Sequence, residues 1–153
     1  MKSILFTIIA FLCLVTLKAQ SIDEAPLSFK TYYGGYINIK DQKSGKVDAL
    51  MNWIFDFQNL EVRLVSKDRN INQTYPINSV YKQLNLAERV KNIYVFKCEG
   101  KVEFKVYLLK NGDKRVDQIL NKDREWIDGV EVSRKVQVFT DYIFNDVLKE
   151  VMQ

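Results

Sequence analysis

The chain has 153 residues, of which 47% are hydrophobic and 27% are charged, with 23 Lys and Arg against 19 Asp and Glu. This composition is typical of a single globular domain and excludes a disordered or collagen-like chain. The sequence contains no histidine. It therefore excludes Ser-His-Asp and Cys-His nucleophiles, the usual zinc sites and any histidine-based pH switch.

The beginning of the chain predicts an export signal. Lys2 precedes an uncharged apolar run over residues 4–17, and the small residue Ala19 follows it. At about 1.5 Å per residue, this run would span about 21 Å as a helix, short of the ~30 Å hydrocarbon core of a membrane. We therefore predict a cleaved secretory signal peptide over residues 1–19 that leaves no stable membrane anchor, and a single β-rich domain over residues 20–153. The protein is expected to be periplasmic or extracellular.

Cleavage of this signal changes the charge balance. It removes Lys2 and Lys18, which leaves 21 basic residues against 19 acidic ones and lowers the formal net charge from +4 to +2. A surface with nearly balanced charge shows no basic footprint for a nucleic acid, so we expect no nucleic-acid partner.

Signal cleavage also leaves one cysteine. Cys13 lies within the apolar run, so Cys98 has no partner for an intramolecular disulfide and the domain must be stabilised by packing alone. Cys98 has the same strand parity as Tyr94 and Phe96, which places it on an aromatic face. We predict a buried thiol with a raised pKa and a structural role.

The rest of the chain is dominated by alternation of apolar and polar residues, the pattern of strands with one buried face. In residues 102–108 every even position is apolar. Short turns such as Asn111-Gly112 and Asp128-Gly129 separate the runs, and Asn-Gly favours a type I′ hairpin. The pattern predicts eight strands, over residues 29–40, 47–57, 60–67, 74–81, 92–98, 101–110, 114–120 and 130–140.

Two segments are predicted to be helical. The first covers residues 82–90. The second covers residues 141–152, where Ile143, Val147 and Val151 recur at intervals of four.

Successive strands joined by tight turns predict a mostly β fold, an antiparallel eight-strand meander with a short C-terminal helix. Such a meander can close into an up-and-down barrel with room for one small ligand, or remain a curved open sheet. The closed form resembles the lipocalins in architecture. Lipocalins usually carry Gly-x-Trp on their first strand, and the corresponding residues here are Gly34-Gly35-Tyr36, so the resemblance implies an architecture and no more.

Aromatic residues are the main candidates for ligand binding. Two glycines stand between tyrosines in the first predicted strand, which indicates a bulge or a close backbone approach. Tyr and Trp offer apolar area with a polar tip, which suits both a core and a ligand cavity. The candidate ligand-binding residues are Tyr32, Tyr33, Tyr36, Trp53 and Phe55.

Carboxylate pairs are the remaining route to catalysis, because two of them can hydrolyse glycosides without histidine. Asp56 with Glu61 and Glu99 with Glu103 can be paired on paper, but their spacing is not distinctive. The Asp residues also lack the spacing of a calcium loop. We therefore expect no catalytic residues, no metal site and no cofactor.

These observations favour binding over catalysis. The leading hypothesis is a non-catalytic exported binding domain that holds a small apolar or aromatic ligand. The alternative is an envelope or secreted protein-interaction module, an accessory factor or an enzyme inhibitor that uses a strand edge or an aromatic patch. A histidine-free hydrolase is the third hypothesis, and it requires a close acid pair in a cleft with a raised pKa.

Overall fold

The structure is a computed structural model that describes residues 24–38, 43–84 and 87–142. The predicted signal peptide lies outside the described residues. No helix within these ranges is long and apolar enough to cross a membrane. The strands are β1 (Leu27–Asn38), β2 (Lys43–Asp56), β3 (Glu61–Ser66), β4 (Ile71–Gln83), β5 (Val90–Cys98), β6 (Val102–Leu109), β7 (Lys114–Ile119), β8 (Arg124–Ile127), β9 (Val130–Ser133) and β10 (Lys135–Thr140), with single 3-10 turns at Glu99–Lys101 and Asn121–Asp123.

Eight of these strands form a closed antiparallel ring in the order β1-β10-β7-β6-β5-β4-β3-β2. The ring closes at β1, because one edge of this strand pairs with β2 and the other with β10. Gly34, for example, lies opposite Val47 on one side and Phe139 on the other. The remaining strands, β8 and β9, form a separate hairpin between β7 and β10. The mostly β, antiparallel prediction is confirmed.

The last predicted strand is two strands in the structure. At Arg134 the backbone leaves the ladder and its N–H donates to the carbonyl of Asp123 at 2.7 Å. The break separates β9 from β10 and lets β9 pair with β8, a strand that the alternation pattern did not predict.

The predicted helix over residues 82–90 is wrong. β4 continues to Gln83, which lies opposite Ile93 of β5, and β5 begins at Val90. A turn in which the Val90 N–H donates to the Ala87 carbonyl at 3.2 Å precedes β5. Strand pairing therefore overrides the local helical spacing. The second predicted helix, over residues 141–152, lies outside the described residues beyond position 142, and the two described residues are in a bend.

The Asn-Gly hairpin also differs from its prediction. A type I′ turn needs positive φ at both central residues, and Gly112 has φ 94° whereas Asn111 does not have positive φ. The Gly112 N–H instead donates to the Leu109 carbonyl at 3.1 Å, which closes a type I turn followed by glycine. The type I′ geometry occurs at Asp128 and Gly129, with φ 50° and 80°.

Aromatic rings fill the interior of the ring. Trp53 and Phe55 have no exposed surface and stack with centroids 5.9 Å apart, and Phe55 contacts Phe96 at 4.8 Å. The indole N–H of Trp53 donates to the hydroxyl of Thr31 at 3.0 Å, so the buried donor is satisfied. These contacts form a solid core in the middle of the ring.

A register shift between β1 and β2 accompanies a change in which residues of β1 face inward. The register with β2 shifts between Thr31 and Tyr33. Before the shift Phe29 and Thr31 contact the core, and after it Tyr36 lines the interior. Across the shift β2 has one residue more than β1, so the extra residue belongs to β2. The inward parity of β1 changes at the same place, and this change sets the orientation of the tyrosine segment.

Candidate functional site

A cavity of about 400 Å³ lies inside the ring at the end that carries the turn between β3 and β4. Its lining comes from β1, β2, β3, β4, β7 and β10 and from the residues next to them. Tyr36, at its edge, is 38% exposed, so the cavity opens to solvent. A volume of this size is in the range of small-molecule sites, which start at about 300 Å³.

The inner part of the cavity is apolar. Met51, Leu64 and Phe139 line it and are themselves buried. Phe139 contacts Trp53 with ring centroids 5.1 Å apart, so the cavity begins where the aromatic core ends. Gly34 is buried in the lining and has no side chain to fill the space. The absence of a side chain at Gly34 therefore leaves part of the cavity open.

Polar groups from β4 and β7 form a connected set across the cavity. The Tyr75 hydroxyl donates to Oε1 of Gln73 at 2.6 Å and accepts from Nε2 of Gln118 at 3.5 Å. Burial raises the pKa of Tyr75, while the hydrogen bond from Gln118 acts in the opposite direction. The phenol therefore stays neutral and serves as a hydrogen-bonding group.

The mouth of the cavity is basic. Arg69 and Lys135 belong to its lining, and none of the described lining residues is acidic. The ammonium of Lys135 lies 4.3 Å from the ring centroid of Tyr36. That ring rests on Gly45, where an added Cβ would lie 2.5 Å from Cε1 of the tyrosine. The glycine thus permits the position in which Tyr36 supports the lysine by a cation–π contact.

The structure separates the five predicted ligand-binding residues. Tyr36 lines the cavity. Tyr32 is 52% exposed and is not among the described lining residues, and Tyr33 packs against Ile37 and Val138 in a second, smaller cluster. The other two predicted residues, Trp53 and Phe55, are core residues with no exposed surface.

Sequence reasoning missed the polar lining apart from Tyr36; the missed residues are Arg69, Gln73, Tyr75, Gln118, Lys135 and Gln137. Two glutamines in predicted strands gave a weak indication of a polar interior. Gln118 lies opposite Gln137 in the β7–β10 pair, and both line the cavity. Amide side chains on the inward face of two paired strands are unusual in a core, but the pairing itself is not visible in the sequence.

The first predicted carboxylate pair has structural roles. Asp56 accepts hydrogen bonds from both the backbone and the side chain of Asn59, at 2.9 and 2.8 Å, and these bonds lower the pKa of its carboxyl group. Glu61 forms an ion pair with Arg63 at 2.9 Å. Asp56 therefore caps the turn after β2.

An ion pair on the outer face of β7 is largely buried. Arg115 donates two hydrogen bonds to Asp117, at 2.6 and 2.7 Å, and the two side chains are 12% and 8% exposed. The guanidinium also lies 4.8 Å from the ring centroid of Tyr107. Burial alone lowers the pKa of Arg115, but the charge of Asp117 and its hydrogen bond reverse this effect and raise it.

The β8–β9 hairpin presents an apolar tip. Trp126, Ile127 and Val130 are 68%, 47% and 61% exposed. Arg124 anchors the base of the hairpin through Glu131 at 3.2 Å and through Glu103 of β6 at 3.5 Å. The second predicted carboxylate pair is thus divided, because Glu103 binds this arginine while its predicted partner Glu99 is exposed.

Cys98 lies beneath this hairpin. It is 3% exposed, and burial raises the pKa of its thiol to about 12. The predicted burial and raised pKa are both confirmed. The thiol is protonated at neutral pH and is a poor nucleophile.

No protein-family model matches the chain, and comparisons with curated proteins and with solved structures found no match, so its function has to be inferred from the cavity and its lining.

Proposed function

We propose that the protein is a non-catalytic exported binding domain whose ring is a lipocalin-like up-and-down barrel holding a small apolar or aromatic ligand. The observation that carries the proposal is the cavity of about 400 Å³ inside the ring. An apolar floor with a few polar groups at fixed positions is the usual construction of a small-molecule site. Tyr36, Tyr75 and Phe139 supply the aromatic surface.

The size of the cavity limits the ligand. If each non-hydrogen atom takes about the 30 Å³ that a water molecule occupies, a cavity of about 400 Å³ accepts roughly 13 of them. A ligand of this size that binds with micromolar affinity gains about 8 kcal/mol. This is about 0.6 kcal/mol per atom, within the range found for small ligands.

The predicted signal peptide over residues 1–19 supports export to the periplasm or the cell exterior. The absence of histidine from the sequence removes the commonest general base, which favours binding over catalysis.

The proposal is tested with 1-naphthylamine, a neutral apolar dye that is smaller than this size limit and whose emission shifts to shorter wavelength in apolar surroundings. We expect saturable binding of one dye per protein. Gln137→Trp places a large ring in the cavity and should abolish binding. Gln83→Trp is the matched control, because Gln83 is exposed on β4 and is not among the described lining residues.

Circular dichroism must show that both variants keep the fold of the parent. Dye binding that does not saturate, or that survives unchanged in folded Gln137→Trp, would show that the cavity is not a ligand site.

The hairpin tip favours a second candidate function, an envelope or secreted protein-interaction module. Exposed aromatic and aliphatic side chains at the tip of a hairpin are suited to contact a protein partner. Chemical cross-linking in the envelope of the producing cell should then yield one stoichiometric partner. Trp126→Ala should remove that partner, whereas Leu84→Ala, which truncates another strongly exposed apolar side chain, should retain it.

A further inference from the structure

The polarity of the cavity changes along its depth. The floor consists of Met51, Leu64 and Phe139, all buried and apolar. The two charged residues of the described lining, Arg69 and Lys135, are both basic. A neutral apolar ligand would contact the floor and would make no use of the Lys135 charge at the edge of the cavity.

The position of Lys135 shows that its charge belongs to the cavity. The residue is half-buried at the beginning of β10, and its ammonium is held 4.3 Å from the Tyr36 ring centroid. This contact restricts the ammonium to the same edge of the cavity as Tyr36. A cation at the edge of an apolar cavity is suited to bind an anion, because the charge of the ligand is then attracted to the same place as its apolar part.

The polar groups of β4 and β7 add hydrogen-bond donors to this charge. The Tyr75 hydroxyl already donates to Oε1 of Gln73 at 2.6 Å. The acceptor of the Gln73 amide is thereby engaged, and its remaining polar group is the Nε2 donor. The lining therefore combines cations and amide donors around an apolar floor.

We infer that the ligand is an amphipathic anion, with its anionic head group beside Lys135 at the basic mouth, to whose positive charge Arg69 contributes, and an apolar tail against the floor. This inference rests on the proposed function and names the chemical class of its ligand. The cavity volume of about 400 Å³ limits the whole molecule to roughly 13 non-hydrogen atoms. A straight chain of about ten carbons that ends in a carboxylate meets these requirements.

Decanoate and decanol test the inference, because they have the same chain and differ in the charge of the head group. Each is used to displace 1-naphthylamine from the intact protein. Decanol is the more hydrophobic of the two, so a cavity that selects only apolar area should prefer it. We expect decanoate to displace the dye at a concentration about tenfold lower, as charge-assisted hydrogen bonds allow.

Variants that remove a positive charge at the mouth show which residues cause the preference for decanoate. Lys135→Gln and Arg69→Gln should each weaken decanoate about tenfold and leave decanol unchanged, since each removes one cation. Lys135→Arg should restore most of the affinity for decanoate. Lys122→Gln is the control, because Lys122 is an exposed lysine that is not among the described lining residues.

The outcomes separate this inference from the proposed function. If the dye binds and decanol competes as well as decanoate, or if both mouth variants bind decanoate like the parent, the anionic class is wrong and the cavity remains a site for apolar ligands. If the dye itself does not bind, the proposed function fails. Melting curves of every variant show whether a loss of binding comes from a loss of fold.

Discussion

The hydrogen bond between Trp53 and Thr31 gives the sharpest test of how the core is stabilised. Both residues have no exposed surface, and the indole N–H donates to the hydroxyl at 3.0 Å. Thr31→Val replaces the hydroxyl by a methyl group of nearly the same size. The substitution therefore removes the acceptor without creating a cavity, and it leaves the indole donor unsatisfied in an apolar core.

The magnitude follows from the cost of that donor. A buried polar group without a partner costs about 1–3 kcal/mol. The gain in β propensity from Thr to Val is smaller than this. We expect the free energy of unfolding to fall by about 2 kcal/mol, which corresponds to a drop in melting temperature of about 6 °C for a domain of this size.

Urea denaturation followed by Trp fluorescence and circular dichroism measures the change. Thr74→Val is the matched control, because Thr74 is exposed on β4 and should change stability by less than about 0.5 kcal/mol. In a Trp53→Phe background the ring has no N–H, so Thr31→Val should cost much less there. A Thr31→Val cost below about 0.5 kcal/mol, or an equal cost in both backgrounds, would refute the reasoning.

Three further predictions concern titratable groups. Asp117→Asn leaves the largely buried charge of Arg115 unpaired and should lower the free energy of unfolding by about 3 kcal/mol in urea denaturation; a change below about 1 kcal/mol would mean that solvent compensates the arginine. The Cys98 thiol, with its pKa raised by burial to about 12, should react with dithiobisnitrobenzoate only as the protein unfolds, and a native protein that reacts as fast as an exposed thiol would contradict its burial. The Glu24 carboxylate accepts a hydrogen bond from Lys82, which lowers its pKa from the ordinary value of 4.5. The ion pair contributes about 0.5 kcal/mol to the free energy of unfolding, as is usual for a partly exposed pair. This stabilisation is present above pH 4.5 and is lost as pH falls through the folded-state pKa of Glu24. Glu24→Gln should therefore make stability less sensitive to acid, and an unchanged acid transition would count against the ion pair.

Local sequence patterns predicted the strands that have one face exposed to solvent and the other buried in the core. The alternation in β6 (Val102–Leu109) is continuous, and the strand appears within one residue of its predicted bounds at each end. The segment over residues 82–90 shows where this reasoning fails. Its helical spacing is short, and pairing between β4 and β5 offers more backbone hydrogen bonds than one isolated helical turn.

The candidate site was harder to predict, because an inward-facing residue lines the cavity only if it lies near one end of the ring. Trp53 and Tyr36 both face the interior, but Trp53 lies in the packed middle and Tyr36 at the mouth. Strand parity gives the face of a residue and not its height along the axis. The register shift between Thr31 and Tyr33 adds a second obstacle, because the inward parity of β1 changes there, within a segment where the sequence shows only tyrosines and glycines.

Closure of the ring between β1 and β10 has a consequence for the order of folding events. Gly34 and Phe139 pair across this seam although 105 positions separate them in the chain, whereas the other strands of the ring that are consecutive in sequence pair through short turns. Contacts between distant positions require the largest loss of chain entropy, so the seam should form late and limit the folding rate. Both Gly34 and Phe139 line the cavity. Ligand binding should therefore begin only after the seam has formed, and the ligand should slow unfolding by holding the seam closed.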